Sequence, residues 1–429
     1  MQRILTITSF ILLSVFQLHG IDRDSLYSSN GVFDKRIKSV QLYREGWNLS
    51  YPVLKLNGTD KLELHFDLLD DNNETYYYTF FHCDRNWQRS DIFTNEYLEG
   101  FPENPIEDFR PSFNTTVDYF HYKLLFPNDR VRLKRSGNYI LYVYPADDQE
   151  NPILTQRFIV TEDDSRIDIK MHRPLMTTAD NAGQQIDFTV NISGLNIIDP
   201  ARNIFSFILQ NGRWDNAKKN LQPEISGGSQ LIYNSLSDKN IFVAGNEFRY
   251  FDIRSIKYLS ENLVSIDFIP PNYHFYLKPS ESRRLKPYFY YQDFNGKYYI
   301  ATSQGKEADI DADYVYVYFT LNSTNVPVSN KVYVTGSMNG WSAGSDNLMN
   351  FNKITRKFEC TMLLKQGWYN YEYSLQDKAG APLLSTEFEG SYYETENDYM
   401  VLVYYRGPGD RYDRLIATGS ANTLNRLSY

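Results

Sequence analysis

The chain has 429 residues, room for about three domains at roughly 150 residues each, and its 23% charged residues, 23 Gly and 17 Pro argue against disorder. The formal net charge is −9 with no basic stretch, which excludes nucleic acid as a partner, because neutralising phosphates needs clustered Lys and Arg. Aromatic residues make up 16% of the chain, with 36 Tyr, a bias that suits pleated, half-buried strands.

Arg3, the apolar run Ile4–Phe16 and then Leu18-His19-Gly20 read as a secretory signal peptide over residues 1–20. The run is shorter than the about 20 residues that cross a bilayer, and no later stretch approaches that length. The mature chain is therefore expected to be exported, with no transmembrane segment of its own. No Cys follows the run, so a lipid anchor of the bacterial lipoprotein type is not expected.

The apolar segment Tyr51–Leu56 leads into a turn at Asn57-Gly58. Residues 62–68 then alternate, with Leu62, Leu64, Phe66 and Leu68 on one face and Glu63, His65 and Asp67 on the other, the signature of a half-buried strand. A strand-like run follows at 138–144. Alternation returns at 185–192 through Ile186, Phe188, Val190 and Ile192. Asn211-Gly212 after Ile204–Gln210, and Asn295-Gly296 between Tyr288–Phe294 and Lys297–Thr302, accept the positive φ angles of type I′ turns and predict hairpins. Further strands are predicted at 314–321 and 369–375. No segment carries a sustained 3.6-residue apolar stripe, so any helices are short.

Polar joints at Thr161–Ser165 and Gln304–Asp313 divide the chain into blocks 21–161, 162–307 and 308–429. Each is near the size of a β-sandwich, and no fixed-period repeat suggests a propeller or solenoid. The predicted fold is all-β, with about three tandem β-sandwiches. Cys83 and Cys360 read as two buried free thiols, since two thiols and six scattered His make no closed zinc site.

His82-Cys83-Asp84 has the residue types of a nucleophile set, but neighbours on a strand point to opposite faces. Cys83 is expected in the core, with His82 and Asp84 supporting the loop that holds Trp87. In the turn-rich stretch 84–115, Trp87, Phe101, Phe109 and Phe113 either pack on an edge of the first sandwich or form an exposed docking surface. Arg85, Arg89 and Arg110 add directional donors there. Asn114-Thr115-Thr116 fits a glycosylation pattern, but Asn114 is read as a turn residue. Asp309, Asp311 and Asp313 alternate like the first ligands of an EF-hand loop, yet Tyr314 stands where that loop needs Gly and Thr320 where it needs Glu. The stretch is read as a solvated linker. No catalytic set, cofactor loop or metal site is predicted.

The runs His82-Cys83-Asp84-Arg85-Asn86-Trp87-Gln88-Arg89-Ser90, Glu96-Tyr97-Leu98-Glu99-Gly100-Phe101, Ser112-Phe113-Asn114-Thr115 and Ser136-Gly137-Asn138-Tyr139 resemble, in this order, the N-terminal domain of the type IX secretion system plug protein of Bacteroidetes. Leu364–Tyr371, Glu394–Tyr399 and Arg411–Leu415 extend the resemblance to the end of the chain. It implies an all-β, non-enzymatic periplasmic protein, a monomer before assembly, without cofactors. Such a protein binds the outer-membrane translocon barrel and seals its periplasmic opening when no cargo is in transit. Arg85, Trp87, Arg89, Phe101, Phe113 and Asn114 are the candidate partner-binding residues.

A second likeness lies in the last block. Lys331–Trp341 and Gly367–Tyr371 resemble strands of an early-set immunoglobulin-like module found as a glycogen- and starch-binding domain. It implies the alternative function of glucan binding, with Asn339, Trp341, Lys365 and Trp368 at the positions that stack on and hydrogen-bond sugars. Fold likeness alone does not carry that function.

Overall fold

The computed structural model describes residues 27–425 apart from 175–181, 235–237, 323–325, 327–329 and 378–382. The predicted signal peptide, residues 1–20, lies outside the described residues. The architecture is all-β. Its α-helices among the described residues are single four-residue turns, Thr94–Tyr97, Pro200–Asn203, Ala308–Asp311 and Thr386–Glu389.

Four sheets stack face to face. The first contains, in order, Ile37–Arg44, Leu62–Leu68, Phe120–Phe126 and Asp108–Pro111. The second is built on Leu154–Thr161, Gly137–Pro145 and Tyr76–Cys83. The third contains Lys218–Leu221, Ile204–Gln210, Asp398–Tyr405 and Arg414–Asn422, and the fourth is built on Arg166–His172, Gly183–Asn191 and Gln230–Tyr233.

The two middle sheets have no solvent face at their centres. In Gly137–Pro145, Tyr139, Leu141 and Val143 enter the core shared with the first sheet, while Ile140, Tyr142 and Tyr144 enter the core shared with the third. In Asp398–Tyr405, Met400, Leu402 and Tyr404 face the second sheet, and Tyr399, Val401, Val403 and Tyr405 face the fourth. Strands buried on both faces read as continuous apolar runs rather than alternating ones. That is why 138–144 lacks the clean alternation seen at 185–192.

A ten-stranded sheet folds around a separate core that includes Phe251, Phe275, Val317, Phe319, Val334 and Tyr371. It takes strands from both Arg249–Asp252 and Gly367–Gln376, which pair antiparallel. The sheets therefore cut across the sequential blocks 162–307 and 308–429. Ile204–Gln210 pairs along its length with Tyr399–Tyr405, so the third sheet draws on both blocks and the ten-stranded unit is inserted between its halves. Periodicity locates strands but does not say which ones pair, and an interleaved topology leaves no polar joint at its true seams.

Asn211-Gly212 and Asn295-Gly296 both adopt left-handed φ at the two positions, 54° and 70°, then 52° and 80°. The first ends Ile204–Gln210, which pairs with Lys218–Leu221. The second precedes Tyr298–Ile300, but 288–294 forms no strand. At Asn57-Gly58 only Asn57 is left-handed, at 59°. Cys83 and Cys360 are both buried and are not joined in a disulfide. Burial pushes the Cys360 thiol up to about 12, as expected of an inert core thiol.

Candidate functional site

The turn that follows Tyr76–Cys83 is shaped by Asp84. Its Oδ1 accepts the N–H groups of Asn86 (2.8 Å) and Gln88 (2.9 Å), and its carbonyl accepts that of Trp87 (3.0 Å). Trp87 is thereby held at a φ of 69°, rare for a side chain of its size. Its indole is not a docking element. It is only 4% exposed, stands edge-on to Trp214 with ring centroids 4.8 Å apart, and lies under the Arg157 guanidinium at 4.3 Å.

The same turn joins the second and third sheets. Arg85 pairs with the buried Asp413 at 3.0 Å, donates its backbone N–H to the same carboxylate (2.8 Å) and covers the Phe205 ring. Arg89 lies over Phe81, with its guanidinium 3.8 Å from the ring centroid. Arg85, Trp87 and Arg89 are thus engaged inside the chain, and Cys83 and His82 face opposite sides of their strand. The His82 imidazole receives the Ser90 hydroxyl at Nδ1 (2.8 Å) and donates from Nε2 to the Ser136 carbonyl (2.9 Å).

Burial pulls the His82 pKa down from 6.5 to about 4. The unfolded chain then binds the extra proton between those values, so stability is complete above about pH 6.5 and falls as pH drops towards 4. On the order of 3 kcal/mol is expected to be lost across that window. Urea unfolding at both ends of it should show a smaller loss for His82→Gln, whose amide keeps the bond to Ser136.

Other rings of the loop point outward. Phe93, Phe101 and Phe113 are 73%, 69% and 62% exposed, and Phe109 lies half against Tyr122. Their backbone is nevertheless fixed. Phe93 donates its N–H to Glu96 Oε2 (2.7 Å), Phe101 to the Arg130 carbonyl (3.0 Å) and Phe113 to the Ile310 carbonyl (3.0 Å). Gly100 before Phe101 has a φ of 99°, and a Cβ there would come within 2.1 Å of the Arg130 carbonyl oxygen. Asn114 is left-handed at 57°, a turn residue.

The polar face of Leu62–Leu68 is buried, contrary to the half-exposed strand that its alternation predicts. It meets the ten-stranded unit. Lys365 Nζ sits 2.7 Å from Asp67 Oδ2 and 2.7 Å from the Asp309 carbonyl, with both side chains of the Lys365–Asp67 pair enclosed. Tyr314 donates its hydroxyl to Asp67 (2.6 Å), and His121 bonds the other carboxylate oxygen (2.6 Å). Burial alone would raise the Asp67 carboxyl. The Lys365 ammonium and the His121 bond outweigh it and hold the group below the usual carboxylate range.

The acidic stretch before Tyr314 is not a solvated linker. Asp311 Oδ2 accepts the N–H groups of Lys306 (2.7 Å) and Glu307 (2.9 Å), and Asp313 accepts that of Thr116 (2.9 Å). Arg110 pairs with Glu307. Carboxylates that satisfy backbone amides this way build a docked turn, not a tether.

Two comparisons with known proteins match this architecture. A crystal structure of a hypothetical protein from Parabacteroides merdae superposes with a TM-score of 0.88 at 34% sequence identity, over 92% of this chain and 99% of that one. No curated protein matches the chain. Residues 37–162 match the family model of the type 9 secretion system plug protein 1st domain. The chain belongs to the type 9 secretion system plug family.

The matched plug domain runs from the start of Ile37–Arg44 to the end of Leu154–Thr161, so it holds the first two sheets nearly whole. It carries Trp87, the exposed Phe93, Phe101 and Phe113, and the buried His65, Asp67 and His121. Among the described residues of this plug-family chain, no helix is long and apolar enough to cross a membrane.

The four residues named for sugar binding are placed separately. Lys365 is the buried partner of Asp67. Asn339 uses both ends of its amide internally, donating to the Val334 carbonyl (2.7 Å) and accepting from Gly336 N–H (3.2 Å). Trp341 packs on Phe248 and lies under the Arg213 guanidinium. Trp368 stacks on Tyr250 with ring centroids 5.1 Å apart and meets Phe294 edge-on. Beside this unit, a cleft of about 1350 Å³ opens between the segment around Lys38 and a face carrying Tyr316, Tyr318, Met338 and Met362. Nothing in the residue types of that cleft, drawn from distant parts of the chain, announces it in the sequence.

Proposed function

We propose that this member of the plug family works in the periplasm, where it sits against the outer-membrane translocon barrel and closes its periplasmic opening while no cargo is in transit. The observation that carries this reading is the set of exposed rings Phe93, Phe101 and Phe113 on the matched plug domain, each on hydrogen-bonded backbone. Aromatic side chains dominate binding energy at interfaces. Presenting them on fixed backbone limits the ordering cost of association. The task is one of fit rather than bond making. A stopper that must leave needs an interface near the standard size of about 1,200–2,000 Å² and no larger.

Affinity purification of a tagged copy from solubilised envelopes is expected to recover the translocon barrel. A deletion strain is expected to admit small hydrophilic solutes through translocons left vacant. Recovery of no outer-membrane barrel, together with an envelope as tight as the parent's, would overturn the reading.

A further inference from the structure

Two histidines and an aspartate that stand far apart in the sequence meet at the junction of the plug domain with the ten-stranded unit. His65 Nδ1 lies 3.0 Å from His121 Nε2, and Asp309 Oδ2 lies 3.9 Å from the first and 3.6 Å from the second. Ligand atoms at the corners of a tetrahedron with zinc bonds of 2.0–2.2 Å are separated by roughly 3.3–3.5 Å. The three atoms therefore enclose a point at coordinating distance from all of them. Both imidazoles are buried, while Asp309 is partly open to solvent, which leaves an entry path and a fourth position for water.

The Asp67 carboxylate fixes the tautomer of His121. Asp67 Oδ1 stands 2.6 Å from His121 Nδ1 and, as a carboxylate, can only accept, so His121 carries its proton on Nδ1 and turns a lone pair outward at Nε2. Glu63 Oε2 lies 3.5 Å from His65 Nε2, an atom otherwise without a hydrogen-bond partner, and Glu63 is itself held by Lys123 (2.7 Å) and Gly46 N–H (2.7 Å). A proton on His65 Nε2 would satisfy that carboxylate and leave a second lone pair at Nδ1. In that tautomer two lone pairs face one another across 3.0 Å and a cation between them satisfies both; in the metal-free chain the other tautomer lets His65 Nδ1–H donate to His121 Nε2. Histidine ligands whose other nitrogen is bonded to a carboxylate are the usual second layer of a zinc site.

We propose that His65, His121 and Asp309 bind one divalent transition-metal cation, zinc by geometry and ligand type. The ion staples the first sheet to the Ala308–Asp311 turn. His65 and His121 belong to the matched plug domain and Asp309 to a turn within the ten-stranded unit, between its strands Tyr298–Ile300 and Tyr314–Asn322, so the metal fixes the angle between the two.

The test uses the full chain without a polyhistidine tag, stripped with chelator and titrated with zinc chloride by calorimetry. One zinc per chain is expected at micromolar concentration, with a rise in Tm of at least about 3 °C at saturation. Cobalt(II) in place of zinc should give the intense visible bands of a four-coordinate site. Asp309→Asn, at a partly exposed position, should keep the metal-free Tm yet lose both the tight uptake and the cobalt bands. His121→Gln gives a second check. His172→Gln, at the partly buried pair with Asp187 in the fourth sheet, should leave uptake unchanged. No uptake of zinc or cobalt, uptake by Asp309→Asn equal to the parent, or loss in His172→Gln instead would overturn the assignment.

Discussion

Replacing Lys365 with Met is expected to lower stability by about 3–5 kcal/mol, the cost of leaving a buried charge without its partner. The Asp67 carboxylate has no exposed surface and would keep only the Tyr314 hydroxyl and His121 as neighbours able to bond it. Met fills the volume of the lysine stem, so the loss reports the charge rather than a cavity. The double variant Asp67→Asn/Lys365→Met should recover most of it, because no uncompensated charge then remains. Urea unfolding of the parent and both variants decides the matter. A single-variant loss under about 1 kcal/mol, the range of an exposed pair, would show that water reaches the site. The Asp67 carboxyl is held below its unfolded value, so its contribution is complete above about pH 4 and disappears as pH falls through the lower folded value.

Trp87→Ala and Phe101→Ala are expected to fail in opposite ways. Trp87 fills the seam between the second and third sheets against Trp214 and Arg157, so truncation should cost about 3–5 kcal/mol of stability. It should alter translocon binding only through that loss. Phe101 and Phe113 touch little of their own chain, and their removal should shift stability by less than about 0.5 kcal/mol. If they are anchors at the barrel, each should weaken binding by about 2 kcal/mol or more, roughly thirtyfold. Thermal unfolding and surface binding to purified translocon, measured on the same preparations, separate the two effects. A destabilised Phe101→Ala with unchanged affinity would remove that ring from the interface.

Much of the fold is legible in the residues, and the reason is local. The alternation at 185–192 and the Asn-Gly pairs report backbone period and φ, which depend on near neighbours. Most of the wrong expectations involve partners distant along the chain; the hairpin at Asn295-Gly296, whose first arm forms no strand, is a local exception. Glu63, His65 and Asp67 look like a solvent face because polarity marks the surface in most strands, and partners far along the chain, Lys123, His121, Asp309, Tyr314 and Lys365, make that face an interior. Asp309, Asp311 and Asp313 read as linker for the same reason. Trp87 and Arg85 have the chemistry of an interface and do form one, but between two sheets of a single chain. Phe101 and Phe113 carry a readable signal, large rings beside Gly and Asn at left-handed positions, which pins the backbone and leaves the side chain outside.

An inner strand of the third sheet, Ile204–Gln210, imposes an order on biogenesis. Gln210 waits for Tyr399, 189 residues downstream, before its edge is covered. Closing so long a span is slow, since the chain entropy must be lost before the new contacts repay it. A polypeptide that enters its compartment amino end first can complete the leading sandwich early, but Ile204–Gln210 stays an open, apolar edge until the tail arrives. Escort by a holdase, or rapid delivery of the last segment, is the natural safeguard for a chain wired in this way.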